Sequence, residues 1–161
     1  MKLKIILTFF LSYAFLSIDA ESKRYVRNHY LNGILKSEGW VEEHKKEGFW
    51  RFYHYSNTLS AKGHFKDDKK NGYWYFYSKE GILIKEGHYF NDKKTNWWLF
   101  YDTKGQIDHK CQLNNGIKDG YCLQYKDQEL ISALKYKDGT KIKEWTDFKT
   151  FRKENNLLDL K

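Results

Sequence analysis

The stretch Gly72-Tyr-Trp-Tyr-Phe-Tyr-Ser-Lys-Glu-Gly-Ile-Leu-Ile-Lys-Glu-Gly-His-Tyr89 recurs along the chain at a spacing of 24 residues. Gly48-Phe-Trp-Arg-Phe-Tyr53 precedes it and Asn96-Trp-Trp-Leu-Phe-Tyr101 follows it. The spacing aligns Trp50, Trp74 and Trp98 with Cys122, and Phe52, Phe76 and Phe100 with Gln124. Tyr53, Tyr77, Tyr101 and Tyr125 form an unbroken column. Leu35, Leu59, Leu83, Ile107 and Ile131 form an aliphatic one, and Gly39, Gly63, Gly87, Cys111 and Lys135 a third. The pattern is sharp in the middle and decays toward both ends, as terminal units of a repeat array do.

Each unit reads as two strands. Tyr73–Tyr77 is aromatic-rich and Ile82–Tyr89 carries β-branched residues, both favoured on a pleated surface. Ser78-Lys-Glu-Gly81 punctuates the unit, and polar turns such as Lys66-Asp-Asp-Lys-Lys-Asn71 join one unit to the next. Glycines every dozen residues and a run such as Tyr-Trp-Tyr-Phe-Tyr exclude a helical period. The expected fold is therefore all-β: an antiparallel meander of tandem 24-residue hairpins in one elongated, twisted sheet of about ten strands. Its stability should come from contacts between adjacent units.

Register follows if Gly63 lies opposite Trp74. The same offset pairs Gly87 with Trp98, so each indole covers a residue without a side chain. In the next unit both members change together, to Cys111 and Cys122. Directly opposed residues in an antiparallel pair lie roughly 4.5–5.5 Å apart at Cα, which suits a disulfide. Two unpaired thiols filling the same gap are the alternative.

Strand alternation places Trp74 and Phe76 on one face with Gly87, and Tyr73, Tyr75 and Tyr77 on the other. The second face offers a candidate partner-binding strip of Phe49, Tyr53, Tyr75, Tyr77, Tyr101 and Tyr125. Tyrosine gives large contact area and a hydroxyl at small entropic cost. The turn residues Lys69, Lys70, Lys93, Lys94 and Lys118 recur along one edge and make a candidate contact for an anionic surface.

The chain has 161 residues, a net charge of +8, 19% aromatic residues and no proline. Residues 1–20 have the composition of a secretory signal peptide: Lys2 and Lys4, an apolar run from Ile5 to Ile18, and Ala20 before the cleavage point. Its removal takes away two lysines and Asp19, leaving a net charge of about +7. The expected domains are the leader 1–20, a repeat domain 21–146, and a tail 147–161 that either forms a short capping helix or frays. The expected location is exported: periplasmic, cell-surface or extracellular. Export and two opposed cysteines point to oxidation of the pair. The basic balance then suits an acidic protein, an envelope glycan or anionic lipid, with nucleic acid not expected.

No nucleophile motif, metal-binding signature or phosphate loop appears in the sequence, and the paired acids Asp67 and Asp68 sit in turns beside lysines. His64 and His88 share a column but belong to units roughly 9.5 Å apart, too far for one metal. No catalytic residue, metal ligand or cofactor is expected.

Gly72-Tyr-Trp-Tyr-Phe-Tyr77, Lys79-Glu-Gly-Ile-Leu83 and Glu86-Gly-His-Tyr-Phe-Asn-Asp-Lys-Lys94 together resemble the MORN-repeat variant, and more narrowly the bacterial YwqK-type antitoxin proteins. The resemblance spans about residues 24–145. It implies an elongated hairpin array that binds other proteins, with membrane-lipid contact a further role proposed for such arrays, and no catalytic residues. The leader departs from an intracellular antitoxin. The expected function is an exported, non-enzymatic scaffold binding a protein partner, with envelope glycan or anionic-lipid binding as the alternative.

Overall fold

The computed structural model describes residues 22–160; the expected leader, residues 1–20, lies outside the described residues. Eleven strands run in chain order: β1 (Arg24–His29), β2 (Leu35–Glu42), β3 (Lys45–Tyr53), β4 (Leu59–Lys66), β5 (Lys69–Tyr77), β6 (Leu83–Phe90), β7 (Lys93–Tyr101), β8 (Ile107–Asn114), β9 (Ile117–Lys126), β10 (Glu129–Lys137) and β11 (Thr140–Trp145). They form one sheet whose spatial order equals the sequence order, every pair antiparallel. Helix α1 (Phe148–Glu154) and a 3-10 turn (Leu157–Leu160) follow.

One cross-strand row carries the packing. Gly39, Trp50, Gly63, Trp74, Gly87, Trp98, Cys111 and Cys122 succeed one another across β2–β9. Each indole lies on the glycine of the preceding strand. A Cβ built on Gly39, Gly63 or Gly87 would come within 2.3–2.5 Å of the nearest atom of Trp50, Trp74 or Trp98. The three tryptophans are 0–1% exposed although the described strands form a single sheet with no second sheet packed on it. Phe65 and Tyr89 meet them edge-on, with Phe65–Trp74 and Tyr89–Trp98 centroids both 5.0 Å apart. Where the row reaches β8 and β9, Cys111 and Cys122 are joined in a disulfide, Cα atoms 4.0 Å apart.

A recurrent bulge fixes the geometry of each unit. Gly87 pairs with Trp98 and His88 with Thr95, so Asn96 and Trp97 are inserted without partners on β6. The first inserted residue, at Gly48, Gly72, Asn96 and Gly120, has φ of +59° to +108°, which glycine adopts freely and asparagine tolerates. The interruption frees a backbone carbonyl on the preceding strand. The indole N–H claims it: Trp50, Trp74 and Trp98 donate to the carbonyls of Trp40, His64 and His88 at 2.9, 3.0 and 3.0 Å. In the cystine unit there is no indole, and the Gln112 side chain instead accepts from Tyr121 N at 2.7 Å.

Hairpins at one end of the sheet close on two-residue turns with both φ positive, as at Asp67-Asp68 and Asn91-Asp92, the type I′ geometry that matches strand twist. Neighbouring turns are tied together: Asp68, Asp92, Gly116 and Gly139 N–H groups donate to the carbonyls of Lys46, Lys70, Lys94 and Lys118. At the other end longer loops recur, His54, Ser78 and Asp102 each accepting from the residue three positions on. The last of these is different. Asp127-Gln128 is a two-residue turn, so Tyr125 pairs with Leu130 where Tyr101 pairs with Ile107. The final unit is one residue shorter, and the column expectations for Ile131 and Lys135 are corrected to Leu130 and Leu134. Leu134 lies opposite Cys122 and is buried.

The tail is a helix. Asp147 caps it by accepting from Lys149 N and Thr150 N. Phe151, 1% exposed, drives it onto Tyr121, Leu123, Ala133 and Trp145.

Candidate functional site

The face opposite the tryptophans gathers the tyrosines. Its central row reads Arg27, Glu38, Arg51, Lys62, Tyr75, Glu86, Leu99, Lys110, Leu123, Ala133. Phe49 and Tyr73 flank the row on one side, Tyr53 and Tyr77 on the other. Thus Phe49, Tyr53, Tyr75, Tyr77 and Tyr101 share one surface. Tyr125 lies at its far end, packed at the margin of the cluster beneath α1. From β9 to β11 the face is covered by the chain's own helix. Trp97 of β7 packs against the edge of that cluster, and the helix makes its main contacts with β10 and β11, leaving the face over β3–β6 outside them.

Carboxylates and ammonium groups alternate along this face, and each is held by rings. Glu38, with its side chain 11% exposed, accepts from the Tyr53 hydroxyl at 2.7 Å and pairs with Arg27 at 3.3 Å and Arg51 at 3.6 Å. The Tyr53 hydrogen bond holds the Glu38 carboxyl below its ordinary range. Burial, followed by the bond to Glu38, pushes the Tyr53 phenol up to about 12. Two strand pairs on, Tyr101 donates to Glu86 at 2.6 Å. Burial and that bond raise Tyr101 well above the usual phenol range. Burial and the Glu86 charge bring Tyr73 to about 12. Between the carboxylates, Lys62 stands 4.9 Å over the Tyr75 ring, and beyond Glu86 Lys110 stands 5.1 Å over Trp97. These phenols are therefore proton donors at neutral pH, fixed in direction. They can present ring surface and hydrogen bonds but no nucleophile. His64 and His88 pack against Phe49 and Tyr73 at centroid distances of 5.2 and 4.7 Å.

The turn lysines divide by face. Lys69 and Lys93 are exposed. Lys70, Lys94 and Lys118 point the other way and fold over the tryptophan face, so the single edge expected from sequence becomes two rows. Lys70 stands 5.3 Å over both Trp74 and Tyr89, Lys94 4.7 Å over Trp98, and Lys118 4.8 Å over Tyr136. Lys46 completes the column, 5.6 Å over Trp50. Partial burial, then the charges of Lys85 and Lys70, hold the Lys94 ammonium below its ordinary pKa.

Sequence reasoning did not single out Trp97, Glu38 or Glu86. Trp97 lies 24 residues beyond Tyr73, and that spacing was the available signal. Its buried indole nitrogen has no hydrogen-bond partner among the described residues. The two glutamates carried no signal, because their burial depends on tyrosines from neighbouring strands. Among known proteins, no family model matches the chain and no curated protein is significantly similar to it.

Proposed function

We propose that this chain is an exported, non-enzymatic repeat scaffold that binds a protein partner through the open part of the tyrosine face. One observation carries the reading: the face already receives an element. Helix α1 seats Phe151 among Tyr121, Leu123, Ala133 and Trp145, and the same surface continues across β3–β6, away from the helix's main contacts. There it offers Phe49, Tyr73, Tyr75 and Tyr77, ring surface of the kind that anchors protein interfaces. Phenols locked by Glu38 and Glu86 lose little side-chain entropy on binding. The resemblance to MORN-type antitoxin repeats points the same way, and the Cys111–Cys122 disulfide suits an oxidising compartment.

A photo-crosslinking residue placed at Tyr77 tests the proposal, with one at Phe100, on the tryptophan face, for comparison. In envelope extracts, position 77 should capture a discrete protein that position 100 does not. Tyr75→Ala should abolish that capture without altering the circular dichroism spectrum. Equal capture from both faces, or capture indifferent to Tyr75→Ala, refutes the proposal.

A further inference from the structure

The tryptophan face holds a row of cations that folding alone does not require. Lys46, Lys70, Lys94 and Lys118 occupy equivalent places in four successive units, each ammonium 4.7–5.6 Å over an aromatic ring. Their stems help to bury the indoles, a task any unbranched apolar chain could perform. Their charges are largely uncompensated. Lys46 reaches Asp68 at 3.2 Å, but Lys70, Lys94 and Lys118 have no carboxylate within ion-pair distance among the described residues. Lys85, 5.0 Å over Phe76, adds a further cation, and after partial burial its charge and that of Lys70 lower the Lys94 pKa. Asp92 accepts from the Lys70 backbone N–H at 2.8 Å but forms no ion pair with its ammonium. Like charges gathered over an aromatic floor, with only Lys46 paired to a carboxylate, mark a surface suited to an anion from outside the chain.

We infer that this face binds a linear anionic polysaccharide carrying about one acidic group per repeat unit. The inference concerns the face opposite the proposed protein-binding surface and stands independently of it. Spacing selects the ligand. Lysines two strands apart recur at roughly 9.6 Å, close to the length of two linked pyranose rings. An extended acidic peptide presents side chains on one face at roughly 6.8 Å intervals, out of step with the row. Curvature excludes a flat partner. With roughly 20–25° of twist per strand pair, six steps from β3 to β9 turn the row through about 120–150°. A flexible chain can follow that path; a planar membrane cannot touch all four lysines. Between the cations, the half-buried Phe76 and Tyr89 rings offer apolar surface for the C–H faces of sugars.

The test uses the full mature chain and hyaluronan oligosaccharides, which bear one carboxylate per disaccharide, with calorimetry at low and physiological salt. Wild type should bind, and binding should weaken as salt rises. Lys70→Met with Lys94→Met keeps the apolar cover and removes two charges, and should weaken binding roughly thirty-fold. Lys69→Met with Lys93→Met, on the other side of the same turns, should leave it unchanged. Methyl-esterified hyaluronan should not bind. Should the methionine pair alter the melting temperature, Lys70→Gln with Lys94→Gln replaces it in the same comparison. Unchanged affinity in a folded Lys70/Lys94 variant overturns the inference. So does equal binding of the esterified polymer, or tighter binding to phosphatidylglycerol vesicles, polyglutamate or single-stranded DNA than to hyaluronan.

Discussion

Gly63→Ala tests the packing principle of the whole array. The added Cβ would lie 2.4 Å from Cδ2 of Trp74 and 2.5 Å from Cε2 and Cγ. Ordinary carbon contacts begin near 3.5 Å, so the indole must rise by about 1 Å or the strands must part. Overpacking of this kind costs about 1–3 kcal/mol. The rise also stretches the 3.0 Å bond from Trp74 Nε1 to the His64 carbonyl, putting about 0.5–1.5 kcal/mol at stake. Against this, removing a glycine restricts the unfolded chain and returns about 0.4–1 kcal/mol. The balance is a loss of about 2 kcal/mol, or roughly 4–8 °C in melting temperature for a chain of this size. Urea unfolding followed by far-ultraviolet circular dichroism measures it. The decisive comparison is Gly63→Ala in a Trp74→Leu background, where the offending ring is gone. The penalty should largely vanish there, giving a coupling between the two sites comparable to the single-site loss. Gly81→Ala serves as the contrast: φ is +85° but nothing lies within 4 Å, so any penalty is backbone strain indifferent to tryptophan. A neutral Gly63→Ala, or one equally costly without Trp74, refutes the indole-on-glycine account.

The remaining expectations follow from other parts of the same sheet. Intact mass of the oxidised protein should be two hydrogens below the dithiol form, and Cys111→Ser with Cys122→Ser should cost about 2–3 kcal/mol, since the bond closes a loop of sequence separation 11. Tyr53 and Tyr73 have folded pKa values raised to about 12, so the stability they contribute is complete below the unfolded phenol value near 10 and is lost as pH rises toward 12. Alkaline denaturation should therefore steepen over that window and flatten in Tyr53→Phe. Glu38, with a lowered pKa, works in the opposite sense: its stabilisation is present above the ordinary carboxylate range and disappears as pH falls through its folded value, a slope that Glu38→Gln should remove. Phe151→Ala should cost about 3–5 kcal/mol in the helix-covered end, and hydrogen exchange should accelerate in β10 and β11 but not in β5.

Much of the fold was legible because a sheet's side-chain period is two and the repeat length is constant. Once Gly63 is set against Trp74, the same offset places Gly87 against Trp98 and Cys111 against Cys122, with no further assumption. What escaped was whatever breaks the constancy without leaving a sequence marker. Asp127-Gln128 takes positive φ at two non-glycine residues and shortens its loop by one, so Leu134, not Lys135, falls opposite Cys122. A one-residue slip exchanges faces along a strand, and here it brings Ala133 and Leu134 to the two packed surfaces. The bulge column was visible as Gly48, Gly72 and Gly120. Its meaning was not, because the freed carbonyl and the indole that claims it come together only when the strands pair.

The candidate sites show the same division. The tyrosine column could be read directly, since Tyr53, Tyr77, Tyr101 and Tyr125 stand 24 residues apart. Its chemistry could not, because Glu38 and Glu86 lie on the partner strands and convert free hydroxyls into fixed donors. The lysines mislead in a more instructive way. Lys69 and Lys70 are adjacent in sequence, and in a turn they look like one patch of charge. Both belong to β5, where adjacent side chains leave by opposite faces, so Lys70 joins the tryptophans and Lys69 does not. Hence a charge run at a hairpin end is two half-runs, one per face, and the proper unit of comparison is the residue 24 positions away. By that measure Lys46, Lys70, Lys94 and Lys118 form one surface. The indoles beneath Lys46, Lys70 and Lys94 stay buried because each of those repeats supplies both the ring and the side chain that covers it.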